Sequence, residues 1–190
     1  MPKYIGNTSD IIDWEEIVNI CKRSTKGDHN TPAGVIQRSD EQFEGELLSD
    51  YQRLMKNWID AGYDMNEIEW WDYYPGQHFD ISVQDKISEF VNARPRRVFV
   101  SEVHPGRVVP WHWDIEDYEA EWLAEGDLKR YIIFMQKPQL GHVLPLEKHC
   151  FHMMPQGDVW EWDSHRDWHA GINLSFEPHF LFHFLGTPND

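Results

Sequence analysis

The chain has 190 residues, a formal net charge of −16 and no long basic stretch. A chain of this length commonly builds one hydrophobic core, so we expect a single domain spanning 1–190. The acidic balance excludes a nucleic-acid backbone as the expected partner. No segment has the length and apolarity of a membrane span, and Cys21 and Cys150 lack CxxC spacing. These features predict a cytoplasmic protein without a membrane partner.

Residues 1–95 are expected to form a mostly helical cover, because apolar side chains recur there at helical spacing. Ser9 and Ser39 are candidate N-caps, and Gly62 is a candidate helix terminator. Two intervening segments have the composition of strands or of extended, pocket-lining chain. The helices are predicted over Asp10–Lys22, from Ser39 towards Gly62 and over Ser82–Asn92, and the extended segments are Val35–Arg38 and Ile68–Tyr74.

Over residues 96–190 apolar side chains recur with a period of two. Short apolar runs alternate there with Pro and Gly, which is typical of an antiparallel sandwich or barrel. The predicted strands are Arg97–His104, Val108–Asp114, Lys129–Gln136, His142–Leu146, His149–Met154, Val159–Asp163, Trp168–Ser175 and Pro178–Leu185. Eight such strands indicate a jelly roll. The predicted fold class is mainly β with N-terminal helices, a cupin-like double-stranded β-helix over 96–190.

Nine of the eleven histidines lie in this β half. Side chains two apart on a strand project from the same face, so His112 and Asp114 point together. A second imidazole from another strand would complete a two-histidine, one-carboxylate triad, the ligand set of many Fe(II) sites. His169, at the start of a strand, is the favoured third ligand, and His165, in a charged turn, is its rival. HxD alone is a frequent pattern, and a strand histidine is often simply hydrogen-bonded.

Several linked motifs resemble the aspartyl/asparaginyl β-hydroxylase family. Ser101 precedes His112 by eleven residues, with the turn His104-Pro105-Gly106 between them. A basic strand follows at Lys129–Phe134, and then come Trp162-Asp163-Ser164 and His169-Ala170-Gly171-Ile172-Asn173. The likeness covers roughly residues 96 to 185, and the helical first half adds nothing specific to it.

This resemblance implies an Fe(II)- and 2-oxoglutarate-dependent dioxygenase that hydroxylates an amino acid or a peptide or protein side chain. It implies that His112, Asp114 and His169 bind Fe(II) as the catalytic centre. Some family members have glycine at the position of Asp114, so the triad here is the more complete one. A pocket walled by aromatic rings would orient the substrate and exclude water.

One departure concerns the far carboxylate of 2-oxoglutarate, which the family usually pairs with an arginine about ten residues after the distal histidine. The matching residue here is His179, and neither Lys nor Arg follows Arg166. A buried carboxylate without a cation is costly, so another residue must pair with it. We predict Arg130 for this role, because its guanidinium offers a bidentate fork. Ser101 would add a hydrogen bond, and His179 would contribute if protonated.

Two other readings stay open at the level of sequence. The missing C-terminal arginine keeps a cupin-type metal-dependent isomerase, or a dioxygenase that does not use 2-oxoglutarate, in consideration. A non-catalytic β-roll binding module with structural histidines is the third possibility. In the two enzyme readings the partner is a small molecule or a peptide, and the sequence makes no prediction of oligomeric state.

Overall fold

The computed structural model describes residues 1–24, 27–32, 46–113, 128–162 and 167–189, with the backbone alone over 46–51. The helices with both ends among the described residues are α1 (Trp14–Arg23), α2 (Glu46–Asp60) and α3 (Ser82–Val91). The strands are β1 (Lys3–Asn7), β2 (Asp28–Asn30), β3 (Trp70–Tyr73), β4 (Ala93–Val103), β5 (Val108–His112), β6 (Lys129–Phe134), β7 (His142–Leu146), β8 (His149–His152), β9 (Asp158–Trp162), β10 (His169–Asn173) and β11 (His179–Pro188).

The strands form two antiparallel sheets that make a double-stranded β-helix. The major sheet has the order β1-β9-β6-β11-β4-β3-β2, and the minor sheet has the order β5-β10-β7-β8. Strands β4 to β11 alternate between the two sheets along the chain, except that β7 and β8 are neighbours in the minor sheet, and this order is that of a jelly roll. All eight predicted core strands are present, with ends that differ by a few residues, and the predicted fold class is confirmed.

Strand β11 is buried on both faces, and its alternation separates two cores. Phe180, Phe182 and Phe184 point to one side, where they pack with side chains of α1 and α3. Leu181 points to the other side and joins a cluster between the two sheets that includes Ile132 of β6. Because the intervening histidines of β11 share the side of Leu181, they lie between the sheets.

Helix α1 begins later than its apolar pattern predicted. Asp13 is the N-cap, and its carboxylate accepts a hydrogen bond from the Glu16 backbone N–H at 3.0 Å. The predicted cap, Ser9, instead donates to the Gln156 carbonyl at 2.8 Å. The segment before α1 is therefore held by the turn that precedes β9 and is not available to the helix.

Helices α2 and α3 support the predictions made for their ends. Gly62 follows α2 with φ of +85°, a left-handed conformation suited to a helix terminator. Helix α3 ends at Val91, one residue before the predicted end, and its C-cap Asn92 is also left-handed. The predicted cap Ser39 and the segment Val35–Arg38 lie outside the described residues. Within the described part of the chain, no helix has the length and apolarity to cross a membrane.

The first half of the chain also contributes three strands to the major sheet. Strand β3 lies within the predicted extended segment Ile68–Tyr74, and it pairs with β4. Strands β1 and β2 were not predicted, because both are short and carry polar residues at positions where apolar alternation was sought. The major sheet therefore extends past the jelly roll at both edges.

Candidate metal and anion site

Two of the three predicted metal ligands lie side by side on the minor sheet. His112, the last residue of β5, is directly opposite His169, the first residue of β10. Their ring centroids are 4.3 Å apart, and the ring planes make an angle of 52°. Since directly opposite residues project from the same face of a sheet, both imidazoles point in one direction.

The two imidazoles are oriented by the same kind of hydrogen bond. Nδ1 of His112 lies 2.7 Å from the Pro110 carbonyl, and Nδ1 of His169 lies 2.8 Å from the Asp167 carbonyl. A carbonyl oxygen only accepts, so each Nδ1 must donate its proton. In the neutral ring Nε2 then carries the lone pair, which is the arrangement of metal-binding histidines whose other nitrogen is fixed by a carbonyl.

Burial keeps these rings neutral. Desolvation lowers the pKa of His112 to about 4, and the charge of Arg130 acts in the same direction. The pKa of His169 is held well below its ordinary value by burial first, and then by His112 and Arg130. Because a metal ion binds the unprotonated imidazole, this environment favours metal binding around neutral pH.

The third predicted ligand, Asp114, lies outside the described residues, as does the rival histidine, His165. Within the described ranges, no cluster of three or more His, Cys, Asp or Glu side chains is arranged to hold a metal ion. The described part of the predicted triad is therefore its histidine pair, and Asp114 follows His112 by two residues in the chain.

Arg130 lies on β6 of the major sheet and is buried, with 3% of its surface exposed. Its guanidinium lies over the ring of Trp162, 5.5 Å from the centroid. The same ring makes an edge contact with His169, with centroids 5.0 Å apart. Trp162 therefore connects the arginine of one sheet to the histidine pair of the other. Burial and the nearby Arg97 lower the pKa of Arg130 to about 9, so it remains a cation at neutral pH.

Ser101 and His183 add polar groups to the same face of the major sheet. Oγ of Ser101 lies 2.8 Å from Nε2 of His183. Burial lowers the pKa of His183 well below its usual range, and Arg130 is the next cause. Nδ1 of His183 is buried with no hydrogen-bond partner among the residues that the structure describes. His183 is thus a neutral ring between Ser101 and the arginine.

A layered stack continues this face towards β4. The Phe99 ring lies parallel to His183, with centroids 4.5 Å apart and an angle of 5°. The Arg97 guanidinium lies 4.6 Å from the centroid of the Phe99 ring. Two permanent cations, Arg97 and Arg130, therefore lie on the sheet face that carries His183. Arg97 also lowers the pKa of the buried Asp72 carboxylate on the same face, so part of this positive charge is balanced within the protein.

His179 does not belong to this group, and the structure corrects its predicted proximity. It lies four residues before His183 on β11 and stacks on His142, with ring centroids 4.2 Å apart and an angle of 18°. Burial lowers the pKa of His179 to about 3, with His142 as the next cause, so the ring is uncharged. His179 and His183 project from the same face of β11, and four residues of extended chain separate them by about 13 Å.

Sequence reasoning missed His183, Arg97 and Asp72, which all lie on this face of the major sheet. The period-two alternation of β11 puts residues 179 and 183 on the same side, and that signal was available for His183. The cross-strand register pairs Leu181 with Ser101, so both histidines are diagonal neighbours of Ser101, and the side-chain contact is made by His183. The register could not be deduced from the sequence.

Two polar residues between β4 and β5, His104 and Arg107, have partners away from Ser101. His104 lies at the turn before Gly106, as predicted, stacks on Trp71 with centroids 4.0 Å apart and contacts the Glu102 carboxylate at 2.9 Å. Arg107 pairs with Glu69 at 2.8 Å. His104 therefore belongs to the opposite side of the β3–β4 ladder from Ser101.

Neither a family model nor a curated protein matches the sequence. Among solved structures, the viral collagen prolyl hydroxylase of Paramecium bursaria Chlorella virus-1, in a 2OG complex, is similar at 17% identity and a TM-score of 0.43, over 77% of this chain and 94% of that chain. A Pseudomonas putida prolyl-4-hydroxylase is similar at 12% identity and a TM-score of 0.44, over 92% and 100%.

A sugar phosphate isomerase from a cupin superfamily of Silicibacter pomeroyi is similar at 14% identity and a TM-score of 0.34, over 65% of this chain and 73% of that chain. These neighbours are too distant to establish a family for the chain. The fold is established by the order and register of its own strands.

Proposed function

We propose that this chain is an Fe(II)- and 2-oxoglutarate-dependent dioxygenase that hydroxylates an amino acid or a peptide or protein side chain. The observation that carries the proposal is the His112–His169 pair, oriented by carbonyls and kept neutral, opposite a buried arginine on the facing sheet. In this proposal His112, His169 and Asp114 hold the iron. Bound iron and 2-oxoglutarate would together supply the oxygen activation needed for hydroxylation.

The charge distribution favours a carboxylate cosubstrate. The charges of Arg130 and Arg97 both lower the pKa of His183, and Arg97 also lowers the pKa of Arg130. Arg130 is buried and Arg97 is partly buried. An anion entering this region gains from the positive charge of Arg130 in a low-dielectric setting. Arg130 would pair with the far carboxylate of 2-oxoglutarate. This observation favours 2-oxoglutarate chemistry over the isomerase and 2-oxoglutarate-independent readings.

The other residues would orient and protect the reacting groups. Ser101 and His183 would exchange a hydrogen bond with each other and offer a further donor to the same carboxylate. Trp162 would keep water from the space between Arg130 and His169. Trp58 makes an edge contact with His112, with centroids 6.3 Å apart, and donates to the Trp111 carbonyl at 2.8 Å, which would fix the end of β5. His179, in this proposal, supports the fold and not the cosubstrate.

The test is an anaerobic titration with Fe(II) and 2-oxoglutarate, monitored by the weak visible charge-transfer band of the chelate. We expect the band in the wild type and its loss in His169→Ala and Asp114→Ala, because each substitution removes one ligand. His152→Ala, at an exposed position of β8, is the matched control and should keep the band.

Far-ultraviolet circular dichroism should show that both ligand variants remain folded. A band that survives in either variant would overturn that ligand assignment. A folded wild type that binds iron but gives no band with 2-oxoglutarate would favour the cupin-type alternative.

A further inference from the structure

A buried carboxylate lies beside the proposed cosubstrate site, and neither the metal nor 2-oxoglutarate uses it. Asp72 on β3 is directly opposite Ser101 on β4, and 5% of its surface is exposed. Directly opposite residues in an antiparallel ladder project from the same face, with Cα atoms about 4.5–5.5 Å apart. Asp72 is thus the next polar side chain after Ser101 and His183 across the major sheet.

The two oxygens of this carboxylate differ in their hydrogen bonds to the described residues. Asn30 donates to Oδ2 of Asp72 at 2.9 Å. Oδ1 is buried and has no hydrogen-bond partner within the described part of the chain. Burial raises the pKa of Asp72 to about 6, while the charge of Arg97 and hydrogen bonds from the side chains of Trp70 and Asn30 lower it. A desolvated carboxylate that keeps an unused acceptor is costly to stability unless a ligand supplies the donor.

Arg97 offsets part of the charge of Asp72, and it makes other contacts as well. Its guanidinium lies over Phe99, and it also forms a hydrogen bond with the side chain of Tyr74. A neutral donor such as a hydroxyl would satisfy Oδ1 without adding positive charge. An ammonium group supplies both the donor and the charge, and charge-assisted hydrogen bonds are the stronger kind.

We infer that Asp72 binds a free ammonium group of the substrate, so that the substrate class is a small molecule or peptide with an unblocked amine. This inference deepens the proposed function and rests on it, because it assigns the substrate's side of the same site. The amine would occupy the β3–β4 side of the major sheet. The substrate carbon to be hydroxylated would then extend from there towards the His112–His169 pair.

The experiment is isothermal titration of the protein, loaded anaerobically with Fe(II) and 2-oxoglutarate, against matched probes. The probes are the twenty free L-amino acids, their Nα-acetyl derivatives, and dipeptides that begin with any residue found to bind. At least one free amino acid should bind, and its Nα-acetyl form should bind at least tenfold more weakly. Binding of the dipeptide would identify a peptide N-terminus as the source of the amine, and its failure would identify a free amino acid.

Asp72→Asn should weaken binding of the free amine at least tenfold and leave the weak affinity for the acetylated probe unchanged. Asp85→Asn is the control, because Asp85 is an exposed aspartate on α3 and is not among the groups that shift the pKa of Asp72. The inference is overturned if no probe binds, if the acetylated form binds as tightly as the free one, or if Asp72→Asn keeps full affinity. The comparison of free and acetylated probes uses the wild type and does not depend on the variant folding.

A separate titration with 2-oxoglutarate distinguishes this inference from the proposed function. Asp72→Asn should bind 2-oxoglutarate like the wild type. If the wild type does not bind 2-oxoglutarate but does bind the amine through Asp72, the proposed function is contradicted and only this inference is supported.

Discussion

At the residue scale, the chemistry of the candidate site depends on side chains whose protonation is set by burial. The imidazoles of His112 and His169 are neutral because desolvation disfavours their charged forms. Arg130 keeps its charge despite comparable burial, because its ordinary pKa is much higher. One desolvated region thus holds neutral ligands for a metal ion and a cation for a carboxylate.

The role of Arg130 gives a direct prediction for its substitution. Arg130→Met keeps much of the side-chain volume over Trp162 but removes the charge. We expect the Kd for 2-oxoglutarate, measured by anaerobic titration, to rise by roughly 10- to 100-fold, which corresponds to losing a charge-assisted hydrogen-bonded pair.

Arg23→Met serves as the control for that measurement, because Arg23 is exposed on α1 and pairs with Glu16 at 3.0 Å. Its affinity for 2-oxoglutarate should match that of the wild type. An unchanged Kd in Arg130→Met would show that the cosubstrate carboxylate binds elsewhere.

At the element scale, the sequence was most informative where a period was long and unbroken. The eight core strands were predictable because apolar alternation and Pro or Gly punctuation agree over residues 96–190. Strand β2 has three residues, Asp28–Asn30, and its position comes from pairing with β3, which a local pattern cannot show. Local motifs were enough to propose Ser101, Arg130, His112 and His169 as site residues. Placing His183 and Asp72 near them required knowing how the strands pair, which a local pattern does not show.

The turn before β9 illustrates a tertiary contact that overrides a local prediction. Gly157 has φ of +84°, and its carbonyl accepts hydrogen bonds from both the backbone and the hydroxyl of Thr8 at 2.9 Å. A Cβ at this position would overlap the Ser9 hydroxyl and come within 2.8 Å of the Ser9 backbone nitrogen. The turn thus holds the chain between β1 and α1.

Gly157→Ala should therefore lower the free energy of unfolding by more than a substitution whose only penalty is a left-handed backbone conformation. We expect a loss of about 3 kcal/mol in the free energy of unfolding, from backbone strain plus the displaced Ser9 segment. Gly62→Ala is the matched control: φ is +85°, no described atom lies within 4 Å of an added Cβ, and the expected loss is about 1 kcal/mol. Urea denaturation measures both. Equal losses in the two variants would contradict the proposed packing of the turn.

At the scale of the whole molecule, the double-stranded β-helix places buried histidines at two positions along β11. The stacked pair His142–His179 lies away from the candidate metal site, and both rings have lowered pKa values. The division into a helical cover at 1–95 and a β core at 96–190 stays a prediction, although strands β1 to β3 join the first half to the major sheet.

Buried histidines make the free energy of unfolding depend on pH. The unfolded chain takes up a proton at each histidine below about pH 6.5, whereas folded His179 resists protonation until about pH 3. The unfolded state therefore binds more protons in this window, and stability falls as pH falls, by up to about 1.4 kcal/mol per pH unit for each such residue.

His179→Asn should reduce this acid sensitivity by about 1 kcal/mol per pH unit between pH 6 and pH 4.5, as measured by urea denaturation at several pH values. His152→Asn replaces an exposed histidine and should retain the slope of the wild type. A wild-type stability that is constant over this range would contradict the burial of uncharged His179.

The most direct test of the account is a crystal structure of the protein grown anaerobically with Mn(II) in place of iron and with 2-oxoglutarate. The account predicts an anomalous scattering peak within bonding distance of Nε2 of His112 and of His169, with the far carboxylate of 2-oxoglutarate hydrogen-bonded to Arg130. Manganese bound away from this histidine pair, or a carboxylate bound beside His179 and not Arg130, would contradict it.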